Sequence, residues 1–308
     1  MRVLRADALL LFVALVWGVG FVIQRMAMET VGPVTFTGVR LLIGTLSILP
    51  LLPLAKRLSP ATLRPVSRQK LLFGMIGAGL AMAAGSVLQQ AGLVYTSAGI
   101  AGFITGLYVV FVPILGLFIG YFVRWTTWAA VLVATAGLYL LSVQGQTMLN
   151  PGDVLVLLGS IAWAAQVLIT GWLAVRCDPV RIALFQTAFA GLLTLGVALS
   201  WEQPEIAALL GIWPELLYSG VLAVGAAFLI QAIAQQNAPP AHAAVLLALE
   251  AVFGAIAGWA FLNEILSPIQ LLGCVVMLVG IVLAQLRTPR GLEDGRMERE
   301  KRMSSLEQ

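Results

Sequence analysis

Long apolar stretches recur along the whole chain and are separated by short polar turns. About 20 apolar residues are enough for an α-helix to cross the hydrocarbon core of a bilayer. Turn-forming Gly-Pro, Asn-Pro-Gly and Pro-Pro segments at residues 32–33, 150–152 and 239–240 mark several of the boundaries. The pattern therefore predicts ten transmembrane helices. They cover roughly residues 6–27, 34–54, 71–92, 98–122, 126–143, 153–174, 181–200, 213–236, 241–262 and 268–286.

The composition supports an all-α integral membrane protein. Sixty per cent of the residues are apolar, 10% are charged, and the mean hydropathy is +0.97. A soluble domain carries about 25% charged residues, so most of this exterior must face lipid and soluble enzymes are excluded. The basic residues lie in short loops and near the C-terminus, so no nucleic-acid partner is expected. Cys177 and Cys274 are isolated in the sequence, and we expect no metal site and no cofactor.

The distribution of basic residues predicts the orientation. If both termini are cytoplasmic, every Lys and Arg except Arg25 and Arg40 falls on the cytoplasmic side, which agrees with the positive-inside rule. An odd number of helices would destroy this agreement. We therefore predict a multi-pass protein of a bacterial-type inner (plasma) membrane with cytoplasmic N- and C-termini. Residues 287–308 mix both charge signs without apolar periodicity and predict a disordered cytosolic tail.

The two halves of the chain, residues 1–145 and 146–286, resemble each other. Five helices per half is an odd number, so the second half would enter the membrane from the opposite side. Inverted repeats of this kind are typical of secondary transporters, which bind substrate near the midplane in a central cavity between the halves. One set of matches is shifted by 146 residues and another by 142. The matched pairs are Asp7 and Asp153, Trp17 and Trp163, Pro33 and Pro179, Gln89 and Gln231, Phe111 and Phe253, and Gly116 and Gly258.

Glu250 is the first candidate for a functional residue, because it lies near the centre of the ninth predicted helix. An acidic residue at that depth costs about 2.5–3.5 kcal/mol on insertion scales. It could contact a substrate amine or carry a coupling proton; the structural alternative is a protonated acid that bonds to a neighbouring helix. Tyr108 occupies the matching position of the first half and is therefore a candidate for lining the cavity.

Arg40 lies about two turns inside the second predicted helix. It could hold a substrate carboxylate or close an outer gate through an acid such as Glu29; alternatively, its stem snorkels outward. Its repeat equivalent, Gln186, places a polar group at the same depth in the other half. His242 is the only histidine and begins the ninth helix, where it is either a helix-end group or a coupling or gating residue.

Aromatic and amide side chains mark one face of the first and sixth helices. Trp17 and Gln24 are seven residues apart and share a helix face, and Trp163 and Gln166 are close to one turn apart. Such groups on opposite sides of a cavity would suit a small zwitterion or a ring. The alternative is that the tryptophans are interface anchors or packing groups.

A series of short motifs runs in order along the chain: Trp17-Gly18, Pro33 with Arg40, residues 91–98 (AGLVYTSA), Gly152-Asp153 with Trp163, residues 239–264, and the Gly273 and Gly280 pattern. In these motifs the chain resembles the EamA-type carriers of the drug/metabolite transporter superfamily over essentially its full length apart from the tail. Ala251 departs from the family pattern, in which many relatives carry a proline after the glutamate, and Asn263 stands where a glycine often precedes Glu264. The resemblance implies a ten-helix basket with a central cavity, export of amino acids or similar metabolites, and a gating or structural role for Glu264.

The leading hypothesis is a secondary transporter that exports amino acids or related compounds by alternating access, with a proton as the candidate coupling ion. The sequence has no Walker, HExxH or GxSxG motif, so we expect neither ATP drive nor an enzyme of those classes. The alternatives are an importer or facilitator of nucleosides, sugars or quaternary amines, a flippase for lipid-linked substrates, a channel and a membrane-embedded enzyme. The pattern does not specify an oligomeric state.

Overall fold

Apolar helices form the framework of the molecule in a computed structural model that describes residues 2–60, 63–121, 123, 125–142, 150–262 and 267–285. Within these ranges all the regular elements are helices. The predicted tail, residues 287–308, and Glu264 lie outside the described residues. The helices are α1 (Arg2–Ala27), α2 (Pro33–Ile48), α3 (Arg68–Leu93), α4a (Ala98–Gly106), α4b (Tyr108–Phe118), α5 (Trp125–Ser142), α6 (Pro151–Ala174), α7 (Pro179–Trp201), α8 (Trp213–Ala234), α9a (Pro240–Leu247), α9b (Glu250–Leu262) and α10 (Pro268–Gln285).

Eight of the helical stretches in the described part of the chain are long and apolar enough to cross a membrane. Helices α5 and α10 are also apolar, over the shorter stretches Trp125–Leu140 and Pro268–Gly280. Every apolar stretch that the sequence marked is therefore helical, and the prediction of an all-helical, multi-span protein is confirmed.

Prolines and short polar side chains fix where the helices begin. Helices α2, α6, α7 and α9a each have a proline in the first turn, where a missing backbone N–H costs nothing. Asn150 and Asp153 form a reciprocal capping box at the start of α6, with N–H···O distances of 2.9 and 3.0 Å. Asp178 caps α7 by accepting the N–H of Arg181 at 2.8 Å. The segments predicted as turns are therefore the starts of helices.

Four of the predicted helices are not continuous α-helices, a feature that the sequence pattern did not predict. Pro50 and Pro53 turn the end of the second stretch into a 3₁₀ segment, Leu49–Leu54, because proline cannot donate the α-helical bond. The fourth stretch breaks at Leu107 and the ninth between Leu247 and Glu250. In α8, residues Tyr218–Ala226 form a π-helix.

The main helix contacts join the two halves of the chain. Helix α1 packs against α8 and α9, α2 against α7 and α8, α3 against α6 and α7, and α5 against α10. The crossing of α1 and α9b is especially close: a Cβ atom on Gly18 would lie 2.6 Å from the carbonyl oxygen of Glu250. This interlocked arrangement leaves a cavity in the middle of the molecule.

Candidate functional site

A small cavity of about 50 Å³ lies among helices α1, α2, α3, α4, α6, α8 and α9. By the same measure a single water needs about 10–15 Å³, so this space holds a few waters at most. Ligand pockets for drug-sized molecules are typically about 300–1,000 Å³, so the cavity is too small for such a molecule in this conformation. Its walls are formed by Trp17, Phe21, Gln24, Arg40, Ser86, Gln89, Thr105, Tyr108, Trp163, Gln166, Val167, Ala223, Val224, Phe228 and Glu250.

The cavity contains every residue that the sequence proposed as lining it except Gln186. Gln186 lies one layer behind the wall, where its Oε1 accepts a hydrogen bond from Nε2 of Gln166 at 3.1 Å. His242 is not in the wall and contacts Asp7 instead. Seven of the predicted residues therefore share this wall, and Gln186 supports it from behind.

Glu250 and Tyr108 lie at matching breaks in the two discontinuous helices. Tyr108 is the first residue of α4b, and Glu250 is the first residue of α9b. Their side chains are buried next to each other, yet neither Tyr108 Oη nor Glu250 Oε1 completes a hydrogen bond of normal geometry with a described residue. Tyr108 nevertheless interacts with the Glu250 carboxyl, so a ligand or water that bonds to Glu250 would compete with this phenol.

Helix α9 breaks just before Glu250, although the next residue, Ala251, is not a proline. Instead, Leu249 N–H bonds to the carbonyl of Leu246 and Ala251 N–H to that of Ala248, both at 3.2 Å. These i to i+3 bonds tighten the backbone into a turn. The break places Glu250 in the first turn of α9b, where the helix dipole favours a negative charge.

Arg40 approaches the cavity from α2 with its side chain fully surrounded by protein. The residue is 5% exposed, so its stem does not snorkel to the surface, and its guanidinium lies over the Phe36 ring, 5.5 Å from the centroid. Arg40 Nε has no hydrogen-bond partner among the described residues. The ion pairs found among the described residues involve neither Arg40 nor Glu250. The suggested gate between Arg40 and Glu29 is therefore not formed in this conformation.

Three aromatic rings fill the space between the halves. Phe228 lies between Trp17 and Trp163, with ring centroids 5.0 and 5.8 Å away. Each indole N–H donates a 2.8 Å hydrogen bond to the other half, from Trp17 to the carbonyl of Ala223 and from Trp163 to Oε1 of Gln89. The tryptophans are therefore held in place, whereas the phenyl ring is held by packing alone.

Sequence reasoning missed Phe228 and Ser86, although both line the cavity. The two positions are 142 residues apart, which is one of the two repeat shifts. If every polar or aromatic residue of the first half had been paired with the residue 142 positions later, Ser86 would have led to Phe228. Neither residue is polar enough or deep enough in its predicted helix to attract notice alone.

Two amide clusters support the walls of the cavity. Gln89 donates to Oε1 of Gln24 at 3.3 Å. In the other half, Gln166 bonds to Gln231 at 3.3 Å and to Gln186 at 3.1 Å. These bonds cross between helices and fix the positions of the cavity-lining side chains, although Gln186 Nε2 has no hydrogen-bond partner among the described residues.

Apolar helices that enclose a small polar cavity between two halves define a multi-pass membrane transporter. The EamA-like transporter family model matches this chain twice, over residues 4–143 and 150–286. The chain therefore belongs to the EamA-like transporter family, as its sequence motifs suggested.

Individual relatives agree with this assignment. An uncharacterized transporter of Archaeoglobus fulgidus is 30% identical over 294 residues, which cover 92% of this chain and 87% of the relative. The uncharacterized inner membrane transporter YedA of Escherichia coli K12 is 24% identical over 278 residues, which cover 88% of both chains. A crystal structure of a protein superposes with a TM-score of 0.73 at 19% identity, over 92% of this chain and 96% of the other. That last likeness shows the shared fold alone.

Proposed function

We propose that this protein is a secondary transporter that exports small zwitterionic metabolites, most simply amino acids or related compounds, by alternating access. The observation that carries the proposal is the presence of Arg40 and Glu250 in one small cavity without an ion-pair partner among the described residues. One side chain suits a carboxylate and the other suits an ammonium group. A solute with both groups would satisfy two buried groups that otherwise cost free energy.

The inverted-repeat arrangement is part of this proposal. It is supported by the two family-model matches, by the helix contacts between the halves and by the breaks at Tyr108 and Glu250. Discontinuous helices at the midplane are a recurrent feature of transporter binding sites. Two bundles that rock about the cavity would enlarge it for a solute on one side and then on the other. The proposed orientation, with both termini in the cytosol, rests on the distribution of basic residues.

Counterflow in proteoliposomes tests the proposed substrate class. Vesicles that contain the purified protein are loaded with a pool of unlabelled amino acids, and the entry of each labelled amino acid is followed in turn. We expect saturable uptake that unlabelled zwitterions compete for, and a strong loss of that uptake in both Arg40→Gln and Glu250→Gln. Asp178→Asn is the matched control, because asparagine caps a helix as well as aspartate does. Uptake of sugars or nucleosides, with none of amino acids, would contradict the zwitterion assignment.

A quaternary amine is the second candidate substrate, because one specific feature favours it. Trp17, Trp163 and Phe228 place aromatic faces in the same cavity as Glu250, and such faces attract cations. The Arg40 guanidinium in the same wall opposes a substrate that carries only positive charge. Competition by choline that survives Arg40→Gln, without competition by any amino acid, would favour this second candidate.

A further inference from the structure

Two polar contacts join the halves of the protein at opposite ends of α1. Asp7 lies near the beginning of this helix, and Gly32 follows its end in the turn before α2. Twenty-six residues of α-helix span about 39 Å at about 1.5 Å per residue. The first contact, Asp7 with His242, and the second, Glu202 with the start of α2, therefore lie on either side of the central cavity.

Glu202 caps a helix that has no cap of its own. It follows the last residue of α7, and its carboxylate accepts the N–H of Val34 at 3.0 Å and the N–H of Thr35 at 2.7 Å. The residue before α2 is Gly32, which offers no side-chain acceptor, and a Cβ atom there would collide with the Glu202 carboxylate. Both charge-assisted bonds cross from one half to the other and fasten the first turn of α2, the helix that carries Arg40.

Asp7 and His242 form the corresponding contact at the other end. His242 Nε2 lies 2.8 Å from Asp7 Oδ1, and each side chain is 8% exposed. His242 is the third residue of α9a, and Glu250 is the first residue of α9b, beyond the break. Separation of α1 from α9a at this end would have to break the contact.

The repeat provides no second copy of either contact. The position equivalent to Glu202 is Lys56, and α7 is capped locally by Asp178, three residues before the N–H that it accepts. The position equivalent to His242 is Ile100, which has no polar side chain. The two ends of the molecule are therefore held by different polar contacts. General helix packing does not require this difference.

We infer that Glu202 and the Asp7–His242 pair are the two locks that hold the halves together around the small cavity, one at each end of the transporter. This inference rests on the proposed alternating access. Release of the Glu202 lock frees the first turn of α2 and opens the cavity toward that end. Release of the Asp7–His242 lock separates α1 from α9a and opens it toward the other end. These three residues act by positioning helices and do not touch the solute.

Sided labelling of the cavity tests the assignment. Cys177 and Cys274 are replaced by alanine, and Ser86→Cys introduces one thiol in the cavity wall. A membrane-impermeant thiol reagent is added to spheroplasts or to inverted membrane vesicles. We expect Glu202→Gln to raise the labelling rate from one side alone and Asp7→Asn to raise it from the opposite side alone. About a tenfold rise is the size expected from the loss of one charge-assisted hydrogen bond.

Matched variants separate locking from general loosening. Glu205→Gln removes an exposed acid beside Glu202, and Asp178→Asn changes an acid that makes a local helix cap; both should label at the parent rate. Gly32→Ala and His242→Gln provide a second variant for each lock, with the same sidedness expected. Equal labelling from both sides, or no rise in any of the four lock variants, would overturn the assignment.

The result can be read separately from the transport assay. Labelling requires no substrate, so the absence of amino-acid counterflow alongside sided labelling would reject the proposed substrate and retain the locks. If each variant raised labelling from the side expected for the other, the proposed membrane orientation would be reversed and the two locks would still be retained.

Discussion

Substitution of Gly18 by alanine tests the close helix crossing beside the cavity. A Cβ atom at this position would lie 2.6 Å from the carbonyl oxygen of Glu250, 2.6 Å from Cβ of Phe253 and 2.7 Å from the backbone nitrogen of Gly254. Two of these three atoms belong to the backbone and cannot move by a side-chain rotation. The Gly18→Ala substitution must therefore push helices α1 and α9b apart where α9b begins, next to the cavity.

The expected cost follows from the packing around this position. Insertion of a methyl group into a well-packed core costs about 1–3 kcal/mol, and the backbone contacts place Gly18→Ala toward the upper end. Against this, alanine is favoured over glycine inside a helix by roughly 1 kcal/mol. The net destabilisation should therefore be about 1–2 kcal/mol. In the absence of a compensating shift, it should also displace Glu250 and slow transport.

Gly196→Ala in α7 is the matched control, because its Cβ atom would meet nothing within 4 Å. The assay is the melting temperature of the purified protein in detergent, measured alongside substrate counterflow. We expect Gly18→Ala to melt several degrees lower, at roughly 2–4 °C per kcal/mol, and Gly196→Ala to melt no lower than the parent. A Gly18→Ala protein that melts at or above the parent temperature would refute the close crossing.

Three further substitutions test the cavity itself. Glu250→Gln should slow counterflow and flatten its dependence on pH if this carboxyl carries the coupling proton; a pH profile identical to that of the parent would reject this role. Trp163→Ala removes both a ring and the N–H bond to Gln89, so it should raise KM while size-exclusion chromatography still gives a monodisperse peak; aggregation would indicate a packing role. Phe228→Ala enlarges the space between the two tryptophans and should shift competition toward bulkier solutes; an unchanged order of competitors would contradict this reading of Phe228.

The sequence predicted the approximate positions of the apolar helices, because hydrophobic length and proline turns are local signals. It did not predict the interruptions. The break before Glu250 and the π-helix of α8 depend on whether each N–H bonds three, four or five residues back, and Ala, Leu and Val tolerate all of these patterns. Where proline does act, as at Pro50 and Pro53, the change to a 3₁₀ segment could have been foreseen.

The candidate site was predictable to the extent that polar residues in apolar stretches are rare. Glu250, Arg40 and the two tryptophans stood out for that reason, and they share a cavity wall. Gln186 also stood out, but a buried amide can as readily satisfy another amide, and only the three-dimensional packing shows that its partner is Gln166. The contact between Asp7 and His242 joins residues 235 positions apart, a separation that no local pattern reveals.

Divergence between equivalent positions determines what shape of solute the cavity can recognise. Tyr108 corresponds to Glu250, and Arg40 corresponds to Gln186. A homodimer of identical five-helix chains would present every group twice, so its site would be matched best by a solute with twofold symmetry. Fusion of the two units into one polypeptide lets each copy of a position mutate alone. In the proposed transporter, unlike groups at equivalent positions, such as Glu250 and Tyr108, would let the cavity distinguish the head of a molecule from its tail.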